Sequence, residues 1–225
     1  GLGSPEALAQ SMLDAGLFNP SRSGLCFVHE SFTAYLDHNA EREGRRLEQH
    51  KACAKALMAS GRPATAQLWE RIGRHLLAGG QGEASLPALH RAARLHGDRA
   101  NHEAALGLLI IRDKVMRDLG IDERDERWGL GWVLRADMLR GMGRLDEAAR
   151  VADRAVEEAQ ANRWKKAMPH ALRGLALVAL EMEDISSAGT LLRRARELFE
   201  LAGEREAVAN CAQWQGRVLL RRGNQ

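Results

Sequence analysis

The chain has 225 residues, 45% hydrophobic, 28% charged and only 4% aromatic, with a formal net charge of +3 and a pI near 9.0. Abundant alanine with few aromatic and β-branched residues suits closely packed helices and argues against a β-sandwich. Basic and acidic residues alternate; near the C-terminal repeats the arginine doublets are Arg193–Arg194 and Arg221–Arg222, which is a solvated helix surface and not a nucleic-acid stripe. Cys26, Cys53 and Cys211 are too far apart for a CxxC site and odd in number, so the reading is a reducing, cytoplasmic setting. No apolar run approaches the ~20 residues of a membrane span.

Ser4-Pro5-Glu6 reads as an N-cap followed by proline in the first turn, predicting a helix over residues 5–15 that stops at Gly16. Leu17-Phe18 and Leu25-Cys26-Phe27-Val28 flank a turn-rich stretch, Asn19-Pro20-Ser21-Arg22-Ser23-Gly24, which predicts a β-hairpin. His29-Glu30 opens an amphipathic helix bearing Phe32, Tyr35 and Leu36 on one side. From about Arg45 onward everything reads as helix. Leu47, Ala54, Leu57 and Met58 share a face, and Ser60-Gly61-Arg62-Pro63 separates that helix from the next. A long helix over 102–119 ends at Gly120, and 121–127 is a charged connection.

A spaced pattern overlies these helices. Counting Ala66 as position 1, Trp69, Ile72-Gly73, Leu76, Gly80, Ser85, Leu89 and Ala92 fall at 4, 7-8, 11, 15, 20, 24 and 27. Counting from Gly129, the same places hold Trp132, Arg135-Ala136, Leu139, Gly143, Ala148, Ala152 and Ala155. Forty residues later come Glu183, Ala188, Leu192 and Ala195, and Gly223 lies 40 beyond Glu183. Positions 4, 7 and 11 share one face of a first helix; position 8 is small so that a second helix can approach through 20, 24 and 27.

This pattern resembles the tetratricopeptide repeat, W-x2-LG-x2-Y followed by small residues, over roughly residues 63–225. Arg135 departs from it by filling an apolar slot, Glu183 by replacing the turn glycine, and no tyrosine stands at position 11. The resemblance implies an all-α fold: a right-handed superhelix of antiparallel helical hairpins, with a small helix and β-hairpin ahead of it. The domain reading is 1–43 for that N-terminal segment and 44–225 for the repeats, ending in a hairpin turn after Leu219.

The N-terminal stretch itself, Leu13-Asp14-Ala15-Gly16-Leu17-Phe18, then Cys26-Phe27-Val28-His29-Glu30-Ser31-Phe32, Tyr35, Arg46 and His50, resembles the end of the winged-helix segment in STAND-type signal-transduction ATPases. That likeness implies a nucleotide-binding core elsewhere in a longer parent protein, of which this chain is an excised part serving as sensor or arm. It also implies that the winged-helix remnant is a regulatory joint and not a DNA reader. A helix and hairpin that merely cap the first repeat fit the same residues. No GxxxxGK[ST] is present to cradle phosphates.

Catalytic motifs are not found. His29-Glu30 is followed by Thr33 where HExxH needs its second ligand, and His90, His96 and His102 are six apart, a spacing that turns them to different sides of one helix. Ser31, Ser85, Ser186 and Ser187 lie in no nucleophile elbow, and Asp122-Glu123 and Asp125-Glu126 alternate with arginines as a solvated loop does. Trp69 and Trp132 read as core; Trp128, Trp164 and Trp214 read as buried against neighbouring repeats, with partner anchoring as the alternative.

Tetratricopeptide geometry turns positions 2, 5 and 9 of each first helix into a groove. Here they are Gln67, Glu70 and Arg74; Val133 and Asp137; His170 and Arg173; Asn210, Gln213 and Arg217. The expected binding residues are therefore Arg74, Asp137, His170, Arg173, Asn210, Gln213 and Arg217, a set suited to a peptide carboxylate or polar ligand. The functional expectation is a non-catalytic sensor without metal or cofactor, recognising a protein, peptide or small-molecule effector. The alternative is a structural arm for self-association or for autoinhibition of an absent nucleotide-binding domain.

Overall fold

The computed structural model describes residues 4–21 and 24–223, and the expected turn residues Arg22 and Ser23 lie outside that range. Ser4 Oγ accepts the Ala7 N–H at 3.3 Å and Pro5 occupies the first turn of α1 (Pro5–Asp14). Strand β1 (Phe18–Ser21) pairs antiparallel with β2 (Gly24–Phe27), placing Phe18 opposite Phe27 with ring centroids 4.6 Å apart. Phe27 then stacks on Phe32, seating the hairpin on α2 (Glu30–Arg42). Asp37 of α2 reaches Arg46 of α3 (Arg46–Ala59) at 3.0 Å, and Ala54 of α3 packs with Ile72 and Leu76 of α4 (Ala66–Ala78). His50 and His75 meet across that junction, Nδ1 to Nδ1, at 2.9 Å.

The remaining helices are α5 (Gly82–Gly97), α6 (His102–Asp118), α7 (Glu126–Gly141), α8 (Leu145–Ala161), α9 (Ala167–Glu181), α10 (Ile185–Ala202) and α11 (Arg205–Gly223). Each packs on its neighbours in sequence, and α7 also touches both α5 and α9. The expected stripe is fully internal: Ser85, Leu89, Ala92, Ala148, Ala152, Ala155, Ala188, Leu192 and Ala195 are all at most 1% exposed. Position 8 must be small for a geometric reason. A Cβ on Gly73 would stand 2.8 Å from Leu89 Cδ2.

One rhythm runs from the end of α4 to the end of α10. Left-handed backbone, which ends a helix, occurs at Gly80, Ala100, Gly120, Gly143, Arg163, Glu183 and Gly203, every 20 residues except for a 23-residue step from Gly120 to Gly143. The 40-residue repeat is therefore two helical units. The three extra residues fall in the 121–125 connection, which is pinned by Trp128 Nε1 donating to the Asp122 carbonyl at 3.1 Å and Trp164 Nε1 donating to the Arg124 carbonyl at 2.7 Å. Both indoles are buried, at 7% and 5% exposure.

That rhythm alters the phase of the expected pattern. From Ala66 to Gly129 is 63 residues, three units plus the insertion. Three is odd, so the helix pair α4–α5 stands one helix out of step with α7–α8. At the other end, the turn expected after Leu219 is absent: α11 continues through Leu219 to Gly223.

Arg135, the apparent misfit, has a partner. Its Nη2 donates to Asp113 Oδ2 at 2.6 Å, while Arg112 Nη1 donates to Asp113 Oδ1 at 3.0 Å and Arg112 Nη2 donates to the Arg127 carbonyl. Arg112 and Asp113 are 2% and 6% exposed, so α6 and α7 are joined by a charged cluster in which Asp113 takes a bond from each arginine while the Arg135 Nε stays buried without a partner among the described residues.

Candidate binding groove

A groove of about 740 Å³ runs across α5, α7, α9 and α11, with His102 at the start of α6 on its rim. Alternate helices supply its walls, and none of its lining comes from α4, α8 or α10. This follows from the two-unit repeat, because helices 40 residues apart present the same face. Four arginines and four carboxylates line it, with His90, His102 and His170 among them.

Asp137 projects from the middle of α7. Burial raises its pKa; Arg140 and Arg173 pull the other way, and Asp98 and Glu181 add to the rise. Arg140 is 3.8 Å from Asp137 and donates through Nη1 to Glu181 Oε1 at 2.6 Å, so its charge is shared between two acids. On α9, His170 sits edge-on to Phe199 at 4.9 Å between centroids, with Glu204 3.8 Å from its Nε2. Burial lowers the His170 pKa and Arg173 lowers it further, against the pull of Glu204. Arg173 lies 5.7 Å over the Phe199 ring and forms no ion pair among the described residues. His90, on α5, is pushed down to about 4, first by burial and then by Arg112, Arg94 and His170. At neutral pH it is an uncharged imidazole.

Of the expected binding residues, Asp137, His170, Arg173 and Asn210 come together in this groove, as does Val133. Gln213 and Arg217 line a separate depression of about 650 Å³ toward the end of α11, with Arg217 stacked 4.5 Å over Trp214. Arg74 lines neither. It pairs with Glu70 at 3.0 Å, Glu70 also meets His96 Nε2 at 3.1 Å, and Gln67 accepts from Arg99 at 3.5 Å. These α4 residues miss the groove because of the phase offset, and α5 supplies His90, Arg94 and Asp98 in their place. The signal that finds α5 is the 20-residue spacing of Gly80 and Gly120 about Ala100.

The histidine spacing also reads differently in three dimensions. His102 begins a new helix, so His90 and His102 both reach the groove while His96 turns away to Glu70. Among the described residues no group of three or more His, Cys, Asp or Glu side chains is placed to hold a metal ion, and no helix is long and apolar enough to cross a membrane. The arrangement offers fork-shaped and planar hydrogen-bonding groups to a polar ligand. No family model matches the chain, and no curated protein matches it.

Proposed function

We propose that the chain is a non-catalytic binding segment of the tetratricopeptide type, a right-handed superhelix whose groove receives a peptide or small effector bearing a carboxylate. One observation carries this reading: Arg173 stands in the groove without an ion-pair partner, held over Phe199, with His170 and Asn210 in the same lining. A guanidinium held over an aromatic ring, with Asp137 near enough to feel its charge but outside ion-pair contact, is pre-positioned for an incoming carboxylate. The N-terminal likeness to STAND-type ATPases extends the reading to a sensor arm within a larger cytoplasmic signalling protein. Residues 1–43 then act as the joint to a nucleotide-binding core.

The test is calorimetric titration with a panel of short peptides carrying free C-terminal carboxylates, each beside its C-terminal amide. The expected result is binding that prefers the free carboxylate, and that Arg173→Ala weakens by about tenfold, the scale of one charge-assisted hydrogen bond, with the circular dichroism spectrum unchanged. Equal affinity for acid and amide, or for the parent and Arg173→Ala, would overturn it.

A further inference from the structure

His50 of α3 and His75 of α4 face each other through the same atom, Nδ1 to Nδ1 at 2.9 Å, with ring centroids 5.2 Å apart. Both rings are half-buried. At this distance the two nitrogens share a single hydrogen, because two N–H donors or two bare lone pairs would repel. One ring therefore donates Nδ1–H, and the other is a neutral imidazole with a bare Nδ1 and its own proton on Nε2.

The surroundings assign the roles. Asp37 of α2 lies 3.9 Å from His50 Nε2, on the opposite side of that ring from the shared hydrogen, so a proton on Nε2 meets a carboxylate. Arg46 also holds Asp37, at 3.0 Å, and meets Glu41 at 3.4 Å. Lys51, beside His50 on α3, is paired with Glu48 at 2.7 Å. His75 is set differently: burial lowers its pKa most, then His50 and Arg71, and no charged group of α5 acts on it among the described residues. His50 is thus the donor and His75 the neutral acceptor. A first proton settles on His50 Nε2 and leaves the bond intact. A second has one place to go, the lone pair on His75 Nδ1 that accepts the bond.

Helix α1 packs on β1, β2 on α2, α2 on α3 and α3 on α4, so α3 is the main link from the N-terminal elements to the repeat array. Its seat is lightly apolar. Ala54 is the buried residue of α3, Leu57 is partly buried beside it, and Leu47 and Met58 are exposed. The two helices also come close at the end of α4, where a Cβ on Gly79 would stand 3.2 Å from the Lys51 backbone nitrogen.

We propose that the His50–His75 contact is an acid-released latch: when both rings become imidazolium, α3 parts from α4 and the helices and hairpin ahead of it loosen from the repeat array. Two N–H donors and two positive charges then confront each other across a gap of 2.9 Å, with Arg71 adding a further cation on the α4 side. Because the folded value of His75 lies below 6.5, the latch is complete above that pH and is lost as the pH falls beneath it.

Hydrogen exchange of the full chain, expressed as protection factors, tests this at about pH 7.5 and about pH 5. On acidification the α3 amides of the parent are expected to lose at least ~10-fold more protection than those of α7–α10. His75→Gln leaves an acceptor for the His50 N–H but nothing to protonate, so the excess loss in α3 should vanish while α7–α10 respond as in the parent. His50→Gln keeps a donor and should do the same. Should either variant melt early, ring NMR of the parent decides alone: one ring of the pair is expected to titrate with α3 still protected, the other only as α3 exchange rises. Equal loss in α3 and α7–α10, an excess loss that persists in His75→Gln, or two rings that both protonate with α3 protected overturns the proposal. So does a chelator that abolishes the acid response, because a metal ion and not a shared hydrogen then joins the rings.

Discussion

Arg140 donates to Glu181 at 2.6 Å across 41 residues, joining the ends of α7 and α9 beside the groove. The same interval separates Arg221 from the Leu180 carbonyl it binds at 2.8 Å, and Trp164 from Arg124 is 40. The sequence period is thus written into polar contacts between successive repeats. Because the Glu181 side chain is 37% exposed, solvent screens the pair. A double-mutant cycle with Arg140→Ala and Glu181→Ala should give a coupling of about 0.5–1 kcal/mol in urea unfolding. A coupling indistinguishable from zero would make the pair incidental.

Asp113 is the pivot between Arg112 and Arg135. Asp113→Ala leaves Arg112 buried with only the Arg127 carbonyl as acceptor, and is expected to destabilise the fold by about 3–5 kcal/mol. Arg135→Met restores the apolar residue type expected at that repeat position but removes one of the acid's two cations. It should cost less than Asp113→Ala, since the Arg112 contact remains. Chemical denaturation of the two variants ranks them, and the reverse order would show that packing and not charge holds α6 to α7.

Periodicity was enough to read the helices from α3 onward and the buried stripes, because small residues at fixed spacing report directly on close helix approach. Asp137, His170, Arg173 and Asn210 were legible as groove residues for the same reason. Arg74 falls outside the groove because a 63-residue offset does not preserve the order of first and second helices. The Asp113 cluster was hidden for another reason. Arg135 looks like a defect in its own repeat until α6, which belongs to neither matched segment, supplies the acid. The tryptophans of the 121–125 connection act through backbone carbonyls, which no residue pattern displays.

Glu183 holds φ +66° at a position where Gly143 and Gly203 hold +73° and +75° in their own turns. A side chain in the left-handed region is strained by Cβ contact with the carbonyl, which glycine avoids. Glu183→Gly should therefore stabilise the chain by about 0.5–1 kcal/mol, the strain relief exceeding glycine's entropic disadvantage. Gly143→Ala should destabilise it by about 1 kcal/mol. Urea midpoints moving in opposite directions for the two variants are the expected result.

His90 gives the fold a built-in acid sensitivity. Its pKa is pushed from 6.5 to about 4 by burial and by the cations Arg112 and Arg94, so the folded state favours the neutral imidazole. When a histidine's folded pKa lies below its unfolded value, its contribution is fully present above the unfolded value and is lost as pH falls through the folded one. The window here runs from pH 6.5 down to about 4, and the loss approaches about 3 kcal/mol at its acid end. His90→Leu keeps the side chain apolar and has no proton to take up, so its stability should fall less steeply across that window than the parent's. Urea unfolding in steps of pH from 7 to 4 measures the difference in slope. Parallel curves would mean that the His90 ring titrates in the folded chain as it does in the unfolded one.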